Sequence, residues 1–516
     1  MKIYYYYTIV VLLSMLSASC SKDLGNYEYH DINELSIQGV MPEYTVRTSV
    51  DTLRIRPTIS ATMVDSDTSK YNYLWILRTN TLTWDTISRK KDLEYPIRLN
   101  PVPYELYYRV EDKGTGVTWI ANTKILVSTP FSRGLLIMGE DEEGYAEAEM
   151  LSMLNDTVHI KRLLSTTALP RLRAPISLVH TGGSEAFVKL WAFTGSGSYY
   201  LNRATMAATP ENNFGRMLYA SESIDPATLH PVTIAPQIRT AAGAIGGTLY
   251  RAMITKGGDV FASIPLFMGG DFFNNPVNRV ASAQEVRIPA APYLLYPINN
   301  MSSIIWYDTR NNRFLNFASF GIGTASSELN DASGSVFPWN QPAGRTLVYA
   351  ENTRNTDGGS TNGNSFAIMK DADNTHHIYK FYANGTNPAK RAAYVVKPMA
   401  TDFDKADFYA FSSNRSVVFY SVGNRLYAYD YNPGFEKIYS SFPQLASDQI
   451  TMLKFDTQMD HVINSLYIAT FNSSTKGTLR RFILGTDPNT VELQPQDNST
   501  WTGLVKVKDV NWRAVN

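Results

Sequence analysis

The chain holds 7 histidines, 1 cysteine and 47 acidic side chains, so reactive chemistry must be sought among few candidates. The lone thiol, Cys20, can form neither an intrachain disulfide nor a cysteine-pair metal site. His376-His377 is the only adjacent histidine pair. Neighbours on a strand point to opposite faces, which keeps both from ligating one metal. No HExxH, no Gly-x-Ser-x-Gly elbow and no phosphate-binding Gly-Lys-Ser/Thr loop occurs. Asp371-Ala372-Asp373-Asn374 has calcium-like spacing, but no glutamate stands at the twelfth loop position to complete an EF-hand. Asp65-Ser66-Asp67 sets two carboxylates in a Ser/Thr-rich stretch that reads as solvated loop. Asp141-Glu142-Glu143 is the densest acidic run. Paired carboxylates can cleave glycosidic bonds, yet like charges at a strand end ordinarily face solvent. Gly195-Ser196-Gly197-Ser198 reads as a turn. The sequence therefore nominates no catalytic residue, no cofactor-binding residue and no metal ligand.

Cys20 needs another explanation. Met1-Lys2 gives a basic start, and Ile3 to Leu16 is mostly apolar, interrupted by Tyr4 to Tyr7. That stretch is shorter than the roughly 20 residues a spanning helix needs and suits the apolar part of a secretory signal. Ser17-Ala18-Ser19-Cys20 follows and resembles a lipobox, the acylation signature of bacterial lipoproteins, with Ser17 where leucine is usual. The resemblance implies a signal peptide over 1–20 and palmitate-type acyl chains on Cys20. Each buried methylene contributes about 0.8 kcal/mol, which makes a stable anchor. Ser21 to His30 is polar and aperiodic and reads as a tether. The expected location is the outer membrane, lipid-anchored, with cell-surface and periplasmic display both open.

Bulk composition sets the class of the remaining chain. The 516 residues are 44% hydrophobic, enough for sizeable cores in two or three domains. The 47 basic side chains balance the acidic ones, which leaves no electrostatic footprint for nucleic acid. The 32 Tyr, 23 Phe and 8 Trp favour pleated, half-buried surfaces, so strands are expected.

Residues 31–129 contain short alternating runs between turn signals. Examples are Leu53 to Pro57, Tyr71 to Leu77 with Trp75 at its centre, Thr83 to Ile87, Leu93 to Ile97, Tyr104 to Val110 and Val117 to Val127. Such spacing predicts a β-sandwich with Trp75 in its core. The Tyr73-x-Trp75 strand, the Tyr104-x-Leu106-x-Tyr108-x-Val110-x-Asp112 strand and the following Thr115-Gly116 turn resemble the PKD-like domains of Bacteroidota lipoproteins. The flanking Gly25-Asn26-Tyr27-Glu28-Tyr29 and Phe131-Ser132-Arg133-Gly134-Leu135-Leu136 carry the same likeness. The resemblance implies an immunoglobulin-like fold and a setting near an outer-membrane nutrient importer.

From 130 to 516 an apolar and aromatic strand kernel recurs, each time followed by a polar turn. Leu135–Gly139, Val188–Phe193, Gly247–Ala252, Ser303–Asp308, His377–Tyr382, Val417–Tyr420 and Leu466–Thr470 are its instances. Spacings of about 40–65 residues match four-stranded propeller blades and predict seven or eight of them. A pair of β-sandwiches is the other architecture that fits. Asn352 to Ser365, rich in Asn, Thr and Gly, reads as a mobile loop. Trp501 to Lys508 alternates like a strand and is expected to pair with the first strand after Arg133, closing the ring.

The whole reading is all-β: signal peptide 1–20, tether 21–30, PKD-like sandwich 31–129 and β-propeller 130–516. Binding of a nutrient, glycan or peptide, or of a partner protein near the importer is the favoured role. A propeller-type hydrolase or lyase acting on glycans is the alternative, its carboxylates gathered at the axis.

Overall fold

The computed structural model describes residues 33–63, 68–79, 82–184, 186–225, 229–240, 245–442, 445, 448–459 and 464–515. Cys20, the leader, the tether and Asp65-Ser66-Asp67 lie outside these residues. The chain divides into two compact units. Among the described residues, one comprises 33–44, 52–97 and 103–126; the other runs mainly from Val127 to the C-terminus.

The first unit is a small β-structure built on alternation. Tyr71–Arg78 pairs antiparallel with Pro103–Asp112 on one side and Trp84–Ser88 on the other. Every second residue of Pro103–Asp112 is buried: Tyr104, Leu106, Tyr108 and Val110. Thr52–Ile55 pairs with Leu93–Pro96, adding Leu53, Ile55 and Leu93 to the core. Trp75 is fully buried, as its place in the alternation predicts. It stacks on Tyr108 at 4.2 Å, and its indole N–H donates to the carbonyl of Lys90 at 3.1 Å. A tryptophan so enclosed is core, not a ligand platform.

The second unit is a seven-bladed β-propeller. Running from inner to outer strand, blade 1 is Lys506–Ala514, Arg133–Glu140, Ala146–Met153 and Thr157–Ile160. Blade 2 is Pro175–His180, Leu190–Thr194 and Gly197–Leu201; blade 3 is Pro231–Ile234, Arg251–Thr255 and Val260–Ser263. Blade 4 consists of Ile304–Asp308, Arg313–Phe317 and Ser327–Glu328, with 290–295 bridged to its inner edge through Ala290 and Leu295. Blades 5, 6 and 7 have four strands each, beginning at Thr346–Asn352, Phe408–Phe411 and Gln449–Phe455.

Neither face of a blade is stable in water, so each packs on its neighbour. Leu136, Met138 and Met150 of blade 1 meet Leu178 and Leu190 of blade 2. Val417 and Phe419 of blade 6 likewise meet Ile450, Leu453 and Ile468 of blade 7. Fully burying one such side chain contributes about 1.5–3 kcal/mol, and every interblade layer holds a dozen or so.

The C-terminus closes the ring, as expected, but with a later strand. Trp501 belongs to the outer strand of blade 7, Leu493–Leu504, and the strand that pairs with Arg133–Glu140 is Lys506–Ala514. The alternating run is thus divided at Val505 between two blades. At the bulge between Met138 and Gly139, a Cβ on Gly139 would stand 2.5 Å from the Lys506 carbonyl, so no larger residue fits.

Candidate functional site: the propeller channel

All seven blades line one central channel of about 590 Å³. That volume lies in the range of small-molecule pockets.

One wall is built where blades 7, 1 and 2 meet. Lys454 interrupts the otherwise apolar end of Gln449–Phe455. Its ammonium donates to Asp509 Oδ1 at 2.8 Å, to the Val510 carbonyl at 2.9 Å and to Asn511 Oδ1 at 3.1 Å. Those three bonds use all of its donors. Asp509 Oδ2 accepts from the Ser177 hydroxyl at 2.5 Å and from Asn511 Nδ2 at 2.6 Å. Lys454 and Asp509 therefore compensate each other within the protein, and Lys508, on the same strand as Asp509, also lines the channel.

Blades 4, 5 and 6 supply the other wall. The tyrosine rings of 293 and 349 meet edge-on at 5.5 Å, and those of 349 and 409 are tilted at 5.5 Å. The Tyr293 hydroxyl donates to the Val348 carbonyl at 3.1 Å, and that of Tyr409 donates to the Phe403 carbonyl. Glu351 follows on the same inner strand and accepts from the backbone N–H of Phe411. One edge of Glu351 reaches the channel while protein encloses the rest. Loss of bulk solvation pushes its carboxyl up to about 8; the Phe411 N–H, Tyr349 and the charge of Lys454 pull the other way. At neutral pH this group is mostly the neutral acid, able to donate as well as accept.

One end of the channel is bridged by hydrogen bonds among the connections that leave the inner strands. Arg354, just after the inner strand of blade 5, donates through Nε to Thr457 O at 2.7 Å. Its other guanidinium nitrogens reach Asn299 Oδ1 and Arg239 O, both at 3.1 Å. Its backbone N–H donates to Ser413 Oγ at 3.0 Å. Gln237 bonds Ala514 and the His180 carbonyl, and Gln458 Nε2 donates to the Gln237 carbonyl at 2.7 Å. Every blade contributes to this closure. The segment 352–365, expected to be mobile, is instead its keystone: Thr353, Asn355, Ser360 and Asn364 are buried. Asn364 Nδ2 donates to Asn355 Oδ1 at 2.8 Å, so a composition typical of loose loops here satisfies itself.

The residues singled out from sequence lie elsewhere. Asp371 forms the turn between two strands of blade 5, where Arg345 (2.5 and 2.8 Å) and His377 (2.7 Å) hold it. The Arg345 guanidinium, first among its partners, keeps that carboxyl well below the usual carboxylate range. Asp373 accepts from the Thr375 N–H, and Asn374 takes φ +71° to close the turn. His376 packs on Phe403 at 5.5 Å while His377 faces Asp371, the opposite-face arrangement expected of strand neighbours. Asp141 accepts backbone N–H groups of Glu143 and Tyr145 and an Arg171 nitrogen at 2.5 Å; Glu142 pairs with Lys476. Among the described residues, no group of three or more His, Cys, Asp or Glu could hold a metal ion.

The channel residues escaped sequence reading. Their signal was small: Lys454 and Glu351 are single charges at the ends of apolar strands, Thr451-Met-Leu-Lys454 and Leu347-Val-Tyr-Ala-Glu351. A strand reads the same whether such a charge meets solvent or an axis.

The N-terminal part of the chain is PKD-like: residues 20–163 match the model of the PKD-like family. Among curated proteins, none matches the chain. Solved structures with a similar fold include a quinonprotein alcohol dehydrogenase-like protein from Bacteroides thetaiotaomicron. It is 13% identical, with 92% of this chain and 97% of that one covered at a TM-score of 0.39. The extracellular domain of a putative one component system from B. thetaiotaomicron is 10% identical, with 77% and 53% covered at 0.33. Regucalcin from Agrobacterium tumefaciens is 9% identical, with 62% and 75% covered at 0.25. Among the described residues, no helix is long and apolar enough to cross a membrane.

Proposed function

We propose that this chain is a lipid-anchored binding protein of the outer membrane, acylated at Cys20, that holds a nutrient or a partner protein for a nearby importer. The propeller does the binding. The observation that carries this reading is the channel itself: about 590 Å³, bridged at one end, with tyrosines on one wall and the Lys454–Asp509 polar network on the other. Such a space suits capture, since its polar groups are fixed before a ligand arrives.

Two experiments test it. In the native host, Cys20→Ser is expected to move the protein from the membrane fraction to the soluble one; an unchanged distribution overturns the anchor. The purified full chain is expected to bind glycan or peptide probes, or an importer subunit, saturably and without consuming them. Steady turnover of a probe replaces binding with catalysis. One observation favours that second reading, a glycan hydrolase or lyase: a neutral acid, Glu351, and an ion-paired carboxylate, Asp509, line the same channel. Carboxyl groups held in different protonation states are what acid–base cleavage uses.

A further inference from the structure

We infer that the channel is a one-ended pocket for a neutral, polyhydroxylated ring of mono- or disaccharide size, admitted where the inner strands begin. This rests on the binding reading above and narrows it to one chemical class and one direction of approach.

Direction follows from connectivity. Arg354, Gln237 and Gln458 lie in the segments that leave inner strands, and their bonds span the channel at that end. Lys508, Asp407 and Tyr293 stand near the starts of inner strands, at the other end of the lining. A ligand therefore meets these residues first and the Arg354 closure last.

Class follows from charge and hydrogen bonding. The charged lining consists of two lysines, Lys454 and Lys508, and two aspartates, Asp407 and Asp509, together with Glu351. Lys454 has no donor left, and Asp509 accepts on both oxygens. Asp407 already accepts from the Gly423 N–H at 2.7 Å. The shifted protonation of Glu351 agrees with this balance. Past Lys508 and Asp407 at the entrance, an ionic ligand would lose its hydration and find the charges of Lys454 and Asp509 already engaged with each other, which disfavours it there. Hydroxyl groups fare differently: each donates and accepts, and so can share bonds with groups such as Ser177 and Glu351 without any change of charge. The part-buried rings of Tyr293 and Tyr349 beside these polar groups match the alternating C–H and O–H character of a sugar ring.

The test is calorimetric titration of the full chain with glucose, galactose and maltose, and in parallel with glucuronate, glucosamine and dialanine. At least one neutral sugar is expected to bind at least tenfold more tightly than every charged probe. Ser177→Phe and Thr233→Tyr, which fill the channel, are each expected to weaken that binding at least tenfold while keeping the wild-type circular dichroism. Should both variants misfold, a crystal of the unaltered protein soaked in the bound sugar locates it. Tighter binding of a charged probe overturns the inference, as does sugar bound outside the channel, or no binding by any neutral sugar. In the first two cases the broader binding reading survives; only consumption of a probe removes that as well.

Discussion

Lys454 on the inner strand of blade 7 donates at 2.8 Å to Asp509 on the strand that closes blade 1. The seam of the ring and the polar wall of the channel are thus one contact. Lys454→Met is expected to leave Asp509 with less compensation and to destabilise the propeller by about 1–3 kcal/mol, the usual penalty for stripping a charged partner from a partly buried group. Adding Asp509→Asn should recover part of the loss, because the unpaired charge is then gone. Urea melts of both variants check this; a double variant no more stable than Lys454→Met alone would contradict it.

Glu351 predicts a pH dependence. Burial raises its carboxyl from 4.5 to about 8 in the fold. Between those values the unfolded chain releases the proton and the folded chain keeps it, so stability falls as pH rises through that window. Glu351→Gln retains an acceptor for Phe411 N–H and removes the titration. Its melting temperature should equal or slightly exceed wild type near pH 4.5 and pull ahead towards pH 8. There the gain should reach about 1–3 kcal/mol, less than the full shift implies because the group borders the channel. Parallel curves for the two proteins would show that Glu351 titrates normally.

Much of the fold is legible in the sequence, and the reason is periodicity. Tyr71–Arg78 and Pro103–Asp112 bury alternate residues, so their pattern announces both strand and face. Blade kernels such as Leu466-Tyr467-Ile468-Ala469 are apolar without alternation because both faces are covered. Inner strands give weaker signals: Pro231–Ile234 is four residues long, and 290–295 reaches its blade through single bridges. The channel suffers most. Lys454, Asp509 and Ser177 lie far apart in the chain, and only ring closure brings them together. Similarly, Asn355 and Asn364 read as loop residues until the bond between them is seen.

Arg251 and Asp271 form a pair with side chains 1% and 0% exposed, joined at 2.7 Å. Arg251 also donates to the carbonyls of Gly182 at 2.7 Å and Thr248 at 2.8 Å. Burial pushes the Asp271 carboxyl up, with Arg251 drawing it back. Asp271→Ala strands the guanidinium and is expected to cost about 3–5 kcal/mol. Arg251→Lys should rescue little, since one ammonium cannot reproduce the planar fork that reaches a carboxylate and two carbonyls. Denaturation midpoints decide the matter: a lysine variant within 1 kcal/mol of wild type, on the order of a single neutral hydrogen bond, would mean that charge alone suffices.

Arg354 gives a prediction about motion. Its side chain joins connections from blades 3, 4, 5 and 7, and its backbone N–H adds blade 6. Interblade packing does not depend on these bonds, so Arg354→Ala should keep the propeller folded. The expected loss is about 1–3 kcal/mol, since the Thr457 and Arg239 carbonyls lose a charged donor. Hydrogen exchange should then quicken in 235–240, 353–364 and 456–459, where these bonds end, while inner-strand amides such as those of 449–455 stay protected. Local opening exposes a segment in proportion to the contacts it has lost, whereas global unfolding would raise exchange everywhere alike. Uniform acceleration across the seven blades would mean that Arg354 supports the whole ring, and unchanged exchange at 456–459 would mean that the closure holds without it.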